Sequence, residues 1–189
     1  IFTADKVLIG EFGEERRKVI PLDEIPQTMR NAVLAIEDDR FYSHGGVDYV
    51  GILRATLTNL RGHLSQGAST ITMQVARNFF LSNEKTFSRK IYEVLLAWEI
   101  ESQLTKDKIL EIYMNQIFLG QRAYGFSSAA QIYFGKELKD ITIAESAMLA
   151  GLPKAPSAYN PVTNFRRAKI RQEYILQRMR DLGYISTED

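Results

Sequence analysis

The 189-residue sequence has no cysteine and only two histidines. Disulfides and thiolate metal sites are therefore excluded, and so is a histidine-rich metal centre. The lack of cysteine suits an extracytoplasmic protein that avoids misoxidation, without demonstrating one. An excess of one charge sign is missing too, since 24 Lys and Arg face 23 Asp and Glu for a net charge of +1. Such a balance supplies no long-range field to draw in nucleic acid, so any anion site must be built locally. The first residues hold no signal peptide, and no run of about 20 apolar residues could span a bilayer. The chain starts at Ile1 and reads as a piece of a longer protein.

What is present suffices for a compact fold, with 45% hydrophobic and 25% charged residues. Val7 and Ile9 alternate with polar neighbours from Lys6 to Phe12, Gly13-Glu14 supplies a turn, and Arg16 to Ile20 can return. Residues 1–20 thus read as a small N-terminal β-hairpin. From Pro26 onward the period is helical. Val50, Leu53, Leu57 and Leu60 line one face, and a polar, glycine-containing loop runs from Gly62 to Gly67. Ser69 is placed to cap a helix bearing Ile71, Val75 and Phe79, and Ser88 to open one whose apolar face is Ile91, Leu95 and Trp98, with Val94 beside them. Thr105 caps a helix with Ile109, Ile112 and Tyr113. Thr142 and Glu145 fit a capping box, and Gly151 with Pro153 closes that element. Pro153 to Pro161 is expected to run extended, because each proline disfavours helix in the residue before it. A last amphipathic helix spans about Asn164 to Leu182 and stops at Gly183. The reading is a single, mainly α domain over residues 1–189, with 21–189 forming the helical part.

The most informative stretch is Glu37-Asp38-Asp39-Arg40-Phe41-Tyr42-Ser43-His44-Gly45-Gly46. Met29, Val33 and Ile36 recur at helical spacing after Pro26, so three acids fall where a helix ends. Acids beside the negative end of the backbone dipole cost up to about 1 kcal/mol each, and broken local rules tend to mark functional sites. A solvated acidic turn is the alternative. Farther on, Thr70, Gln74 and Arg77 lie on one helix face opposite Ile71, Val75 and Phe79, as an anion or sugar contact or as an ordinary solvated face. Arg89 and Lys90 stand one turn before Glu93, where they can grip a phosphate or form a surface ion pair. Glu111, Asn115 and Gln116 can line the same cleft or support the fold through hydrogen bonds. His44, beside two glycines, reads as fixing its loop, and His63 as exposed. Phe79-Phe80-Leu81 is either core or an exposed cluster suited to lipid.

Taken together, five ordered blocks resemble the peptidoglycan glycosyltransferase family, glycosyltransferase family 51, shared by class A penicillin-binding proteins and monofunctional transglycosylases. Glu37-Asp38 with Phe41, His44 and Gly46 looks like its first motif, and Gly67 to Asn78 like its second. Arg89-Lys90 with Glu93, Ala97 and Glu101 looks like the third, and Ile109-Leu110-Glu111 with Tyr113, Asn115 and Gly120 like the fourth. Ala147 to Pro161, with Leu149-Ala150, Leu152-Pro153, Pro156 and Tyr159, looks like the fifth. The similarity runs from about Arg17 to Met179. Met73 and Met114 depart from it, standing where Gln and Leu are expected, and the segment from Arg61 to Gln66 is slightly short.

The resemblance implies a lysozyme-like helical domain with a membrane-associated jaw subdomain, within a longer membrane-anchored protein. It implies polymerisation of lipid II on the outer leaflet of the cytoplasmic membrane, by attack of an acceptor GlcNAc 4-hydroxyl on a growing glycan carried by polyprenyl diphosphate. Glu37 would be the general base, its pKa raised by burial and by neighbouring acids. Arg77, Arg89 and Lys90 would stabilise the leaving diphosphate, and Glu93 would orient the acceptor or position a cation. Asp38, Phe41, His44, Ser69, Thr70, Gln74, Asn78, Glu111 and Asn115 complete the implied substrate site. No cofactor is required by this chemistry; a divalent cation such as Mg is the one assistant it leaves open. Implied partners are lipid II, the glycan strand, a C-terminal transpeptidase domain and other cell-wall synthesis proteins. Two other readings compete: a lytic glycosidase on the same fold, with Glu37 as general acid, and a noncatalytic glycan-binding module.

Overall fold

A computed structural model of the chain describes residues 16–53, 69–81 and 86–188. In these the fold is mainly α, as expected. Its elements are β1 (Arg16–Arg17), α1 (Gln27–Glu37), α2 (Ile71–Phe80), α3 (Phe87–Gln103), α4 (Lys106–Gln116), β2 (Ala123–Tyr124), α5 (Phe126–Phe134), α6 (Ile143–Ala150) and α7 (Phe165–Asp181). Residues 49–53 are also helical. The first strand and turn of the expected hairpin lie outside the described residues. Its return segment does not stay local, because Arg16–Arg17 pairs in parallel with Ala123–Tyr124. Leu57, Leu60, His63 and the Gly62 to Gly67 loop also lie outside the described residues.

Two helix pairings frame the site. α1 packs against α6 and α7, whereas α2 packs against α3 and α4. Met29, Ala32 and Val33 of α1 are fully buried in one core with Ile71, Val75 and Ala76 of α2, Tyr113 of α4 and Ile175 of α7. That shared core fixes the C-terminal end of α1 against the flank of α2. Beside it, Val47, Met73 and Ala97 form a smaller cluster that seats the loop after α1 on α3. Gly46 makes the approach possible: its φ is +88°, and a Cβ there would meet the Ala97 carbonyl oxygen at 3.0 Å.

Thr105 and Asn164 cap α4 and α7, and Thr142 forms a capping box with Glu145. The caps of α2 and α3 differ from expectation. Thr70 rather than Ser69 caps α2, accepting from the Met73 N–H while donating to Gly46 O at 2.6 Å. Thr86 caps α3, and Ser88 falls inside the first turn. Both sites offer neighbouring hydroxyls, and at α2 the tertiary bond of Thr70 to Gly46 favours Thr70.

The apolar stripe of α3 also lies differently. Ile91, Leu95 and Trp98 are each close to half exposed, while Glu93, Ala97 and Ile100 are buried. Periodicity finds a stripe but not which face is covered, and here ion pairing lets a glutamate go inward. Pro153 to Pro161 is not extended. Ala155 N–H bonds to Leu152 O, and the N–H groups of Ala158 and Tyr159 bond to Ala155 O, so the segment folds into turns. A proline fixes its own φ at a value turns accept and disfavours helix in the residue before it, leaving the residues between prolines free to turn. Among the described residues no helix is long and apolar enough to cross a membrane.

Candidate active site

Glu37 is the last residue of α1, and its carboxyl group lies against α2. Gln74 Nε2 donates to Glu37 Oε2 at 2.8 Å, and Gln74 is itself buried. The polar face of α2 is therefore inward at Gln74 and is not a solvated surface. Burial pushes the Glu37 pKa above the ordinary glutamate value, against the Gln74 hydrogen bond and the charges of Arg171, Lys154 and Arg77, which pull it down.

The neighbouring acids, expected to help raise that pKa, are engaged elsewhere. Asp38 is buried, with each carboxylate oxygen 3.0 Å from His44 Nε2, and its Oδ2 accepts from Ile71 N–H at the start of α2. Asp39 accepts from Arg178 Nη2 on α7 at 2.8 Å. One acid therefore ties the loop to α2 while the next ties it to α7. This leaves Glu37 as the acid of the run with only a neutral amide upon it. Phe41, 1% exposed, packs in the core beneath the ring of His44, with Lys106 Nζ 4.3 Å from its ring centroid. It presents almost no surface to a ligand.

A second cluster lies across α2. Glu93 is 1% exposed, and its two oxygens accept from Arg89 Nη1 and from Lys90 Nζ, the latter at 2.8 Å. Lys90 Nζ also reaches Ser69 Oγ at 2.9 Å. Ser69 at the start of α2 thus touches the Glu93 cluster, while Gln74 one turn later touches Glu37. The helix is a common wall for both groups. Arg77 is partly exposed near the end of that helix, and Asn78 is exposed beside it.

Glu111 and Asn115 are directed to a different task. Glu111 Oε2 accepts from Leu22 N–H at 3.0 Å, and Lys108 holds its pKa below the usual carboxylate value. Asn115 accepts from Ile20 N–H at 2.9 Å and donates to Ile20 O at 2.8 Å and Glu111 O at 2.9 Å. Their hydrogen bonds anchor the N-terminal segment to α4, the fold-supporting alternative left open by the sequence.

Sequence reasoning missed Lys154 and Arg171 as charges facing Glu37. Lys154 falls within the fifth block. Arg171 had a readable signal, because it sits in register with Ala168, Ile175 and Met179 on the buried stripe of α7. Its guanidinium lies 5.7 Å from the Tyr159 ring centroid and 5.6 Å from that of Tyr174, and its buried Nε has no hydrogen-bond partner.

No group of three or more His, Asp or Glu side chains is arranged to hold a metal among the described residues. Both Glu93 oxygens are already engaged by cations. These residues do not fit a protein-held divalent cation.

A helical domain with a partly buried carboxyl group hydrogen-bonded to one helix, and a carboxylate held by two cations that reaches the residue just before that helix, has the layout of a carboxylate-dependent group-transfer enzyme. A family profile described as Transglycosylase matches residues 5–180. The chain belongs to this transglycosylase family and is a glycosyltransferase. It is 59% identical over its whole length to penicillin-binding protein 1A of Neisseria gonorrhoeae, covering 24% of that protein. It is 65% identical over 167 residues to a putative transglycosylase of Cupriavidus necator, covering 88% of this chain and 72% of the relative. Among solved structures, penicillin-binding protein 1A from Haemophilus influenzae matches 99% of the chain and 18% of its own, with a TM-score of 0.55 and 33% identity. The chain thus spans about a quarter of the Neisseria relative.

Proposed function

We propose that this domain is a peptidoglycan glycosyltransferase that polymerises lipid II into β-1,4-linked strands with inversion. The acceptor 4-hydroxyl attacks the anomeric carbon of the donor glycan. The new C–O bond forms as the bond to diphosphate breaks, and the hydroxyl proton passes to Glu37. A sugar hydroxyl is a weak nucleophile, so a carboxylate within reach is needed as the bond forms. Diphosphate leaves as a stabilised anion and calls for positive charge more than for a proton. Arg77, Arg89 and Lys90 supply it in this reading, and Glu93 holds Arg89 and Lys90 in place.

The observation that carries the reading is the state of Glu37: partly buried, touched by one neutral donor, with its pKa raised by burial, and faced by Arg77, Lys154 and Arg171. Asp38 and His44 serve as struts for its loop and Phe41 as their backing. Ser69, Thr70, Gln74 and Asn78 line the wall between base and cations. Glu111 and Asn115 act through the N-terminal segment they anchor. The exposed apolar side chains of Phe79, Phe80, Phe87, Ile91, Leu95 and Trp98 suit contact with the outer leaflet of the cytoplasmic membrane, where the substrate resides. A divalent cation, if one accompanies the substrate, would supply further positive charge to the leaving diphosphate and is not held by the described residues. A transpeptidase domain elsewhere in the full protein would use the strand produced here.

Incubating the protein and its Glu37→Gln variant with lipid II tests the assignment. Polymer from the wild type, none from the variant, and lipid II binding within about tenfold are expected when a transition-state proton acceptor is removed. Near-normal polymer from the variant rejects Glu37 as the base. The raised Glu37 pKa also favours one other reading, a lytic glycosidase with Glu37 as proton donor. Shortening of preformed glycan, without polymer from lipid II, would establish it.

A further inference from the structure

Three buried or partly buried groups from three helices form a chain that ends at Glu37. Tyr113 of α4 donates its hydroxyl proton to Gln74 Oε1 of α2 at 3.4 Å, and Gln74 Nε2 donates to Glu37 Oε2 of α1 at 2.8 Å. Tyr113 is 1% exposed and Gln74 6%, so water does not readily replace either contact. A side-chain amide has two unlike ends. Turned over, Gln74 would set its carbonyl oxygen against the carboxylate, which when ionised can only accept, while its NH2 could still donate to the phenol oxygen, so the flip costs the Glu37 contact. The carboxylate therefore settles which end of the amide faces it, and the Tyr113 hydroxyl, donating to the carbonyl end, holds the amide in place from behind. Burial holds the Tyr113 pKa well above the ordinary tyrosine value, so its hydroxyl remains a donor throughout the working pH range.

We propose that Tyr113 is a positioning residue for glycosyl transfer, acting through Gln74 to clamp Glu37 Oε2 and leave Oε1 facing the acceptor hydroxyl. This rests on Glu37 acting as the base. Packing is part of what Tyr113 does, since it belongs to the main core. Its ring alone, however, cannot hold the amide from behind; that requires the hydroxyl. Other charges also face Glu37, namely Arg77 from α2, Lys154 from the loop after α6 and Arg171 from α7, and Asp38 adjoins it in sequence. All of these are unchanged by removing the Tyr113 hydroxyl, so a shift in the pH response can be traced to the Tyr113–Gln74 link.

The test compares wild type, Tyr113→Phe, Gln74→Met and the double variant in lipid II polymerisation across pH, with Glu37→Gln as reference. Phe keeps the ring, and thermal unfolding checks that the fold is retained. For Tyr113→Phe, kcat at neutral pH should fall about tenfold, the effect of about one hydrogen bond, with KM for lipid II changed less than about twofold. The acid limb of its rate profile should move to higher pH, because a loosened amide favours the ionised carboxylate less. On the Gln74→Met background, the same substitution should add nothing further. An unmoved acid limb, or a full additional loss in the double variant, assigns Tyr113 to packing and overturns the proposal. If Glu37→Gln still polymerises lipid II, the base assignment fails first and the positioning role falls with it. If Glu37→Gln is inactive while Tyr113→Phe matches wild type, only the positioning role fails.

Discussion

Glu93 of α3, fully buried, and Glu37 of α1, partly buried, are two glutamates whose surroundings are unlike. Glu93 meets Arg89 and Lys90 in direct contact, so both of its oxygens are occupied by cationic donors. Glu37 meets one neutral amide, and its positive neighbours act on it without a hydrogen bond. A carboxylate with both oxygens held by cations serves as a structural member, whereas burial without close pairing raises the pKa of Glu37 and makes its carboxyl a readier proton acceptor. Only the second arrangement suits a group that has to take a proton and give it up each cycle.

Substitutions can break this contrast. The largest effect expected is loss of polymerisation in Glu37→Gln, by about 10²- to 10⁴-fold in kcat, measured from strand formation on lipid II. Glu93→Gln should act first on stability, because Arg89 and Lys90 then face each other without an anion. Lys90 is substantially solvated, which limits the cost to about 2 kcal/mol, read from denaturant unfolding. Equal stability of Glu93→Gln and wild type would remove the distinction drawn between the two glutamates.

Lys90→Ala is expected to be milder. It should weaken binding of a soluble diphosphate a few-fold at low salt and flatten the salt dependence of that binding. An unchanged salt dependence would take Lys90 out of the anion site. The smallest effect sharpens the contrast through pH. Burial raises the folded-state pKa of Glu37 above its unfolded value, so its contribution to stability is fully present below the unfolded pKa and is lost as pH rises through the folded one. The stability of Glu37→Gln relative to wild type should therefore improve as pH rises, in thermal melts taken across that window. A constant difference would mean that Glu37 is not desolvated in solution.

The sequence disclosed the helices better than the way they face each other. Capping chemistry located α4 and α6 because Thr105 and Thr142 act within their own helix ends, and the amphipathic pattern with the stop at Gly183 located α7. Where two hydroxyls stood close together the sequence did not separate them: at Ser69-Thr70 the tertiary bond of Thr70 to Gly46 favours Thr70, and at Thr86-Ser88 the cap is the earlier hydroxyl. The face of α3 was misjudged because Ile91, Leu95 and Trp98 outweigh Ala97 in any hydrophobic pattern, although Ala97 is the residue small enough for the Gly46 loop to rest on. At the candidate site, the break in pattern at Glu37 was legible, since an acid at a helix end conflicts with local preference. The separate fates of Asp38 and Asp39 were not, because they depend on Ile71 and Arg178, distant in sequence. Arg171 escaped notice because a lone arginine on a buried stripe reads as noise until the elements packed around it are known.

The measurement closest to the centre is the pH dependence of lipid II polymerisation by wild type. If Glu37 must be ionised to accept the hydroxyl proton, kcat should rise with pH along an acid limb whose midpoint lies above 4.5, the ordinary glutamate value. A rate that stays flat down to that pH, or that rises as the solution is acidified, would contradict a desolvated Glu37 base.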